Sequence, residues 1–218
     1  FENRARLLQL ILQKVRETVG NNFILAVKIN SSDFQKGGLE ISDSVKIANL
    51  IEKENIDFIE VSGGNFEAPE AYQYVSLKES TKSREAYFLD AAKNIKASVS
   101  IPIMVTGGFR SISVMEDALK SSSTDLIGIG RPFVIDPSFP YKLLNGDISV
   151  LPAVERNFPP AQDIPKGAVL NWFCDQLALQ GKTGKGDINI PLIDGHERYI
   201  KQSDEATHSL ISFRNNSK

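Results

Sequence analysis

"LIGIGRPFV", residues 126–134, is the stretch on which the fold turns. It opens as an apolar, strand-length run, bares its backbone at Gly128 and Gly130, and then presents Arg131 and Pro132. Glycines at the end of a buried strand serve either close approach to a ligand or a tight turn, and the adjacent arginine serves either an anion or a structural ion pair.

Three other runs share this form: "FILAVKIN" (23–30), "DFIEVSGG" (57–64) and "IPIMVTGG" (101–108). Each is short, β-branched and apolar, and each ends on Asn or Gly, the pattern of strands buried on both faces of a parallel sheet. Helical patterns separate them. "ENRARLLQLILQKVRETVG" spaces Leu7, Leu8, Ile11, Leu12 and Val15 along one face and stops at Gly20, a residue type suited to the position after a helix. "ISDSVKIANLIEKENI" offers Ser42 or Asp43 as N-cap before Val45, Ile47, Ala48, Leu50 and Ile51, and "EAYFLDAAKNIK" and "SISVMEDALKSS" repeat the logic.

The alternation α-β-α-β-α-β-α-β predicts an α/β fold with a parallel sheet. A dinucleotide-binding sheet carries G-x-G-x-x-G after its first strand, and no strand here does. A (β/α)₈ barrel often builds a phosphate site from the loops after its last two strands, and "VTGG" and "GIGR" follow the last two strands of this alternation. Beyond Pro140 the pattern lapses into a proline-rich connection; one helix is expected at about 168–181, with Leu170, Phe173, Cys174, Leu177 and Leu179 partly buried, then a polar, extended tail.

Composition narrows the function. A chain of 218 residues with 41% hydrophobic and 24% charged residues can bury a substantial core. A formal net charge of −2 gives no basic field for nucleic acid, and no apolar run approaches the ~20 residues of a membrane span. The single cysteine, Cys174, and a charged "FENRARLLQ" start point to the cytoplasm. His196 and His208 lack the companions and spacing of a metal site.

Gly107 and Gly108, with Gly128, Gly130 and Arg131, read as a phosphate grip: bare backbone N–H groups beside a permanently charged fork. The alternative is tight turns and a buried ion pair. Lys28, between Val27 and Ile29, points by strand alternation into the barrel; it either pairs with Glu60 on the next strand or holds its charge against a cofactor. Asp33, Phe66 and Tyr72 lie in loops after strands and are candidate substrate contacts.

Six collinear blocks, "ENRARLLQLILQKVRETVG", "AVKINSSDFQKGG", "IEVSGGNFEAP", "REAYFLDAAKNI", "PIMVTGGFRS" and "DLIGIGRPFVIDPSFPYKLLNGD", resemble the C-terminal part of the Old Yellow Enzyme family, in its NADH oxidase-like branch. The resemblance spans residues 2 to about 147. It implies the C-terminal half of a TIM (β/α)₈ barrel (strands 5–8) over residues 1–147, followed by a helical extension over 148–218. It further implies FMN as cofactor, NADH or NADPH as reductant, and reduction of activated alkenes or related small-molecule acceptors. Gly107, Gly108, Gly128, Gly130 and Arg131 match the FMN phosphate segments, and Phe109 is expected near the flavin. Lys28 stands where many relatives have an arginine against the flavin ring; lysine keeps the charge and loses the fork. The blocks begin at the helix after strand 4, so no catalytic residue carries over. The expected polypeptide is a fragment, a partial gene product or half of an assembled barrel, working with a complementing N-terminal half or as a homo-oligomer. A non-catalytic half-barrel, or another FMN or sugar-phosphate barrel, is the competing expectation.

Overall fold

A computed structural model describes residues 2–64 and 85–216. The chain divides into two compact units, one ending at Ile129 and the other running from Gly130 onward. Phe66 and Tyr72 lie outside the described residues.

The first unit contains α1 (Glu2–Val19), β1 (Ala26–Asn30), α2 (Ile41–Ile51) with a following 3₁₀ turn, β2 (Phe58–Ser62), α3 (Leu89–Lys96), β3 (Ile103–Thr106), α4 (Ile112–Lys120) and β4 (Leu126–Gly128). The strands form one parallel sheet in the order β1-β2-β3-β4. Sequential parallel strands require a crossover between each pair, and crossovers of one hand carry their helices to one face. That face is the core: Ile59, Val61, Ile103 and Val105 are wholly buried, as are Ala48 and Ile51 of α2 and Ala92 and Ile95 of α3. Each buried isoleucine contributes about 1.5–3 kcal/mol.

Side chains of alternate parity occupy the other face. Lys28, Glu60, Met104 and Leu126 share one register row across all four strands. Lys28 and Leu126, at its two ends, are exposed.

The strands are shorter than the apolar runs, because the flanking residues turn before the ladder ends. The largest difference falls on "LIGIGRPFV": only Leu126–Gly128 is strand, and Arg131–Ile135 is a short helix with a proline in its first turn. Proline has no N–H to donate and a φ preset for a first helical turn, so the charge stands at a helix start and not at a strand tip.

Two helix expectations also shift. On α1 the buried stripe is Ala5, Leu12 and Arg16, leaving Leu7 and Ile11 exposed. Arg16 holds that face inward by donating to the carbonyls of Gly20 (2.9 Å) and Phe23 (2.8 Å) and to Asp57 (2.8 Å). The N-cap of α2 is Glu40, so Ser42 and Asp43 fall inside its first turn.

The second unit holds α5 (Arg131–Ile135), α6 (Phe139–Leu144), two 3₁₀ turns (Val154–Asn157 and Ala161–Asp163), α7 (Ala168–Thr183) and α8 (Leu192–Asn216). Its core joins Ala168, Trp172, Phe173 and Leu192, flanked by Val134, Ile135, Phe158 and Ile190. On α7, Ala168, Trp172 and Gln176 recur at helical spacing on the buried face. Leu170 and Leu177 lie about half a turn from Ala168 and are exposed, against expectation.

The tail expected to be extended is the 25-residue helix α8. Its first turns bury Leu192, Gly195 and His196. At Gly195 an added Cβ would meet the Trp172 ring at 2.5 Å. Polar composition masked this helix; the absence of proline after Pro191 and the spacing of Leu192, His196 and Tyr199 permit it.

Candidate functional site

The corner between β3 and α4 is built from Thr106–Ser111. Gly107 and Gly108 have φ of +152° and +80°, regions that glycine enters without strain and L-residues avoid. A Cβ at either would collide at 2.6 Å, with the Phe88 ring at Gly107 and the Tyr87 ring at Gly108. The bare backbone therefore admits two aromatic rings, and Tyr87 N–H donates to the Gly107 carbonyl (3.2 Å). Phe109, expected beside the flavin, is buried with 1% of its surface exposed.

Just beyond, the backbone N–H groups of Arg110 and Ser111 each donate to one carboxylate oxygen of Glu85 at 2.7 Å. The Ser111 hydroxyl donates to the other. The first N–H groups around a helix start lack intrahelical acceptors and carry the positive end of the helix dipole, so an anion is stabilised there. This corner binds an anion, and Glu85 supplies it. Sequence reasoning missed Glu85 because it lies 25 residues before its Arg110 partner with no local signal.

Gly128 faces the same corner from β4, in register with Thr106. A Cβ there would lie 1.7 Å from Thr106 Oγ1. Close approach of β3 thus requires this glycine irrespective of any ligand. Thr106 Oγ1 is itself buried and has no hydrogen-bond partner among the described residues.

On the open face, Lys28 Nζ donates to Glu60 Oε1 at 2.9 Å, with the side chains 55% and 20% exposed. The pairing weighed as one alternative is present. Asp33 organises its own loop: one oxygen accepts from Asn30 Nδ2 (3.2 Å), the other from Leu39 N–H (2.9 Å). Asn30 also donates to the Gly64 carbonyl at 2.7 Å, stitching the loops after β1 and β2. Asp33 borders a cleft of 390 Å³ together with Arg4, Gly37, Gly38 and Asp43.

In the second unit, Gly130 is the N-cap of α5, and a Cβ there would meet open space. Arg131 Nη1 donates to Glu155 Oε1 at 3.2 Å, and its guanidinium carbon lies 5.7 Å from the Phe173 ring centroid. Arg131 is 31% exposed at the side chain and Glu155 1%. A buried carboxylate requires such a partner. Among the described residues, no helix is long and apolar enough to cross a membrane.

Residues 1–147 match the sequence model of the NADH:flavin oxidoreductase / NADH oxidase family. The chain belongs to this family. Two fungal relatives are similar over most of the chain. One is the NADH-dependent flavin oxidoreductase iliE of Neonectria sp. (strain DH2), 37% identical over 146 residues, or 63% of this chain and 19% of that protein. The other is the NADH-dependent flavin oxidoreductase nadA of Aspergillus parasiticus, 33% identical over 160 residues, or 71% of this chain and 35% of that protein. The chain thus spans about a fifth to a third of these family members.

Among solved structures, a 2-naphthoyl-CoA reductase in complex with 2-naphthoyl-CoA is 30% identical with a TM-score of 0.60, covering 69% of this chain and 23% of that one. The Old Yellow Enzyme homologue of Zymomonas mobilis, 20% identical with a TM-score of 0.51 over 76% of this chain and 42% of that one, shares the fold. The sequential parallel sheet is accordingly like part of the TIM barrel of these structures.

Proposed function

We propose that the chain is the FMN-phosphate half of an NAD(P)H-dependent oxidoreductase of the Old Yellow Enzyme type, acting on activated alkenes or related acceptors. The observation that carries this reading is the family match across residues 1–147. It includes "VTGGFRS" at the C-terminal end of β3 and "GIGRPF" after β4, where barrels bind phosphate.

Two features, each within its own unit, suit a phosphate ester: Thr106 carries a buried hydroxyl with no hydrogen-bond partner among the described residues, and Arg131 carries a permanent charge that reaches the surface, whereas the Arg110 and Ser111 N–H groups are taken by the Glu85 carboxylate. In this reading Gly107, Gly108, Gly128 and Gly130 let the backbone approach the phosphate, and Arg131 neutralises it. Lys28 supplies positive charge on the open face, and Asp33 shapes the loop on the substrate side. When bound, FMN supplies hydride transfer between the nicotinamide and the acceptor.

Among the described residues β1 and β4 are both edge strands, so we propose that turnover requires complementary strands and that the isolated chain is inactive. Flavin absorbance of the purified chain, FMN titration, and NAD(P)H oxidation with an enone test the reading together. FMN binding without turnover is the expected result. Absence of binding sinks the phosphate assignment, and turnover by the isolated chain sinks the requirement for complementary strands.

A second reading is favoured by the two ion pairs, Lys28–Glu60 and Arg131–Glu155, which satisfy both candidate cations internally. It is a non-catalytic half-barrel that binds another phosphorylated ligand or self-associates across its edges. Sedimentation with and without FMN separates the two: ligand-independent dimers favour the second.

A further inference from the structure

We infer that Glu155, assisted by Phe173, is a positioning residue for Arg131 in phosphate recognition, so that residues beyond the family match help to build the cofactor grip. The inference rests on the FMN reading above. Arg131 lies within the matched segment 1–147, whereas Glu155 and Phe173 lie outside it.

All three residues belong to the second unit. Glu155 stands on the 3₁₀ turn Val154–Asn157 with its side chain almost wholly buried, and it holds Nη1 of Arg131 at 3.2 Å. The Phe173 ring lies 5.7 Å from the guanidinium carbon. That ring is itself held edge-on by Trp172, at 5.1 Å between centroids and 89° between planes. Trp172 is anchored in turn through Nε1 to the Ile190 carbonyl at 2.9 Å.

A long cationic side chain loses rotamer freedom when it grips a ligand, and one held beforehand on two sides has already lost it. The Arg131 side chain remains about a third exposed, and a phosphate would approach it from that exposed side while Glu155 holds Nη1.

The charge of Glu155 acts against its positioning role, since a carboxylate near a phosphate repels it. The sign of the effect of Glu155→Gln consequently discriminates. Loss of positioning weakens phosphate binding; relief of repulsion strengthens it.

FMN and riboflavin differ by the phosphate, so the ratio of their dissociation constants isolates its recognition. We would measure both, by flavin fluorescence, for the 218-residue chain and for Arg131→Ala, Glu155→Gln, Phe173→Leu and Arg131→Ala/Glu155→Gln. Arg131→Ala should reduce the preference for FMN by about tenfold or more. Glu155→Gln should reduce it by about threefold with riboflavin affinity unchanged. Phe173→Leu should act in the same direction, and the double variant should be no worse than Arg131→Ala.

A preference that stays constant or rises in Glu155→Gln overturns the positioning role while leaving the phosphate reading in place. If Glu155→Gln loses both ligands together through unfolding, Phe173→Leu decides, and an unchanged ratio there overturns the inference. A wild-type chain with no preference for FMN, or an undiminished preference in Arg131→Ala, overturns the phosphate reading itself and the inference with it.

Discussion

Lys28 and Glu60 pair across the open face of the first unit with the lysine more than half exposed, whereas Glu155 and Asp175 in the second unit are nearly buried and meet arginines that reach the surface. In the first arrangement water reaches the lysine, screens the pair and limits its worth to about 1 kcal/mol or less. The second follows from helices and turns wrapped around Trp172, where carboxylates taken out of water depend on their partners. The Lys28–Glu60 charges are therefore adjustable, and those of Glu155 and Asp175 are built into the packing.

Trp172→Ala should break this contrast most severely. Its ring is wholly buried and lines the approach of Gly195, so about 3–5 kcal/mol should be lost, read from urea unfolding monitored by circular dichroism. Gly128→Ala probes the first unit at its tightest point. With a Cβ placed 1.7 Å from Thr106 Oγ1, a loss of about 1–3 kcal/mol is expected, and Thr106→Gly in the same chain should recover part of it.

Asp175→Asn removes the charge that holds Arg198. Because Arg198 is about half exposed and can rehydrate, the cost should be about 1–2 kcal/mol, with a lowered thermal midpoint as the readout. Lys28→Met should shift stability by less than about 1 kcal/mol; a larger loss in urea titration would show that the open face is not solvated as its exposure implies.

The smallest effect is expected from acid. Burial raises the pKa of Asp125, but its bonds to Lys96 and to the Ile103 N–H outweigh this and hold it below the ordinary carboxylate value. A depressed folded-state pKa stabilises above the unfolded value and is lost as pH falls through the folded one. Thermal stability should therefore decline on the acid side, and Asp125→Asn should flatten part of that decline, discounted for partial exposure.

Much of the first unit is legible in the sequence. The β-branched runs at 57–64 and 101–108 contain β2 and β3, and Gly20, with φ of +74°, follows α1 as expected. Periodicity reports which residues are apolar, however, and not which neighbours arrive. It could not separate Leu12, which is buried, from Ile11, which is not. Nor could it find Glu85, whose role depends on a helix start that lies beside it only in three dimensions. α8 was missed because its polar surface dilutes the apolar pattern of its first turns.

The sequence by itself determined the alternation of strands and helices, the bare backbone at the ends of β3 and β4, and membership of the flavin oxidoreductase family. Those properties are local, set by side-chain period and by the conformational range of glycine. Tertiary structure decided what the charges do: Lys28 meets Glu60 because parallel register aligns them, and Arg131 meets Glu155 because a 3₁₀ turn 24 residues later returns a carboxylate to it. Pairing of charges depends on distances through space, which spacing along a chain does not encode.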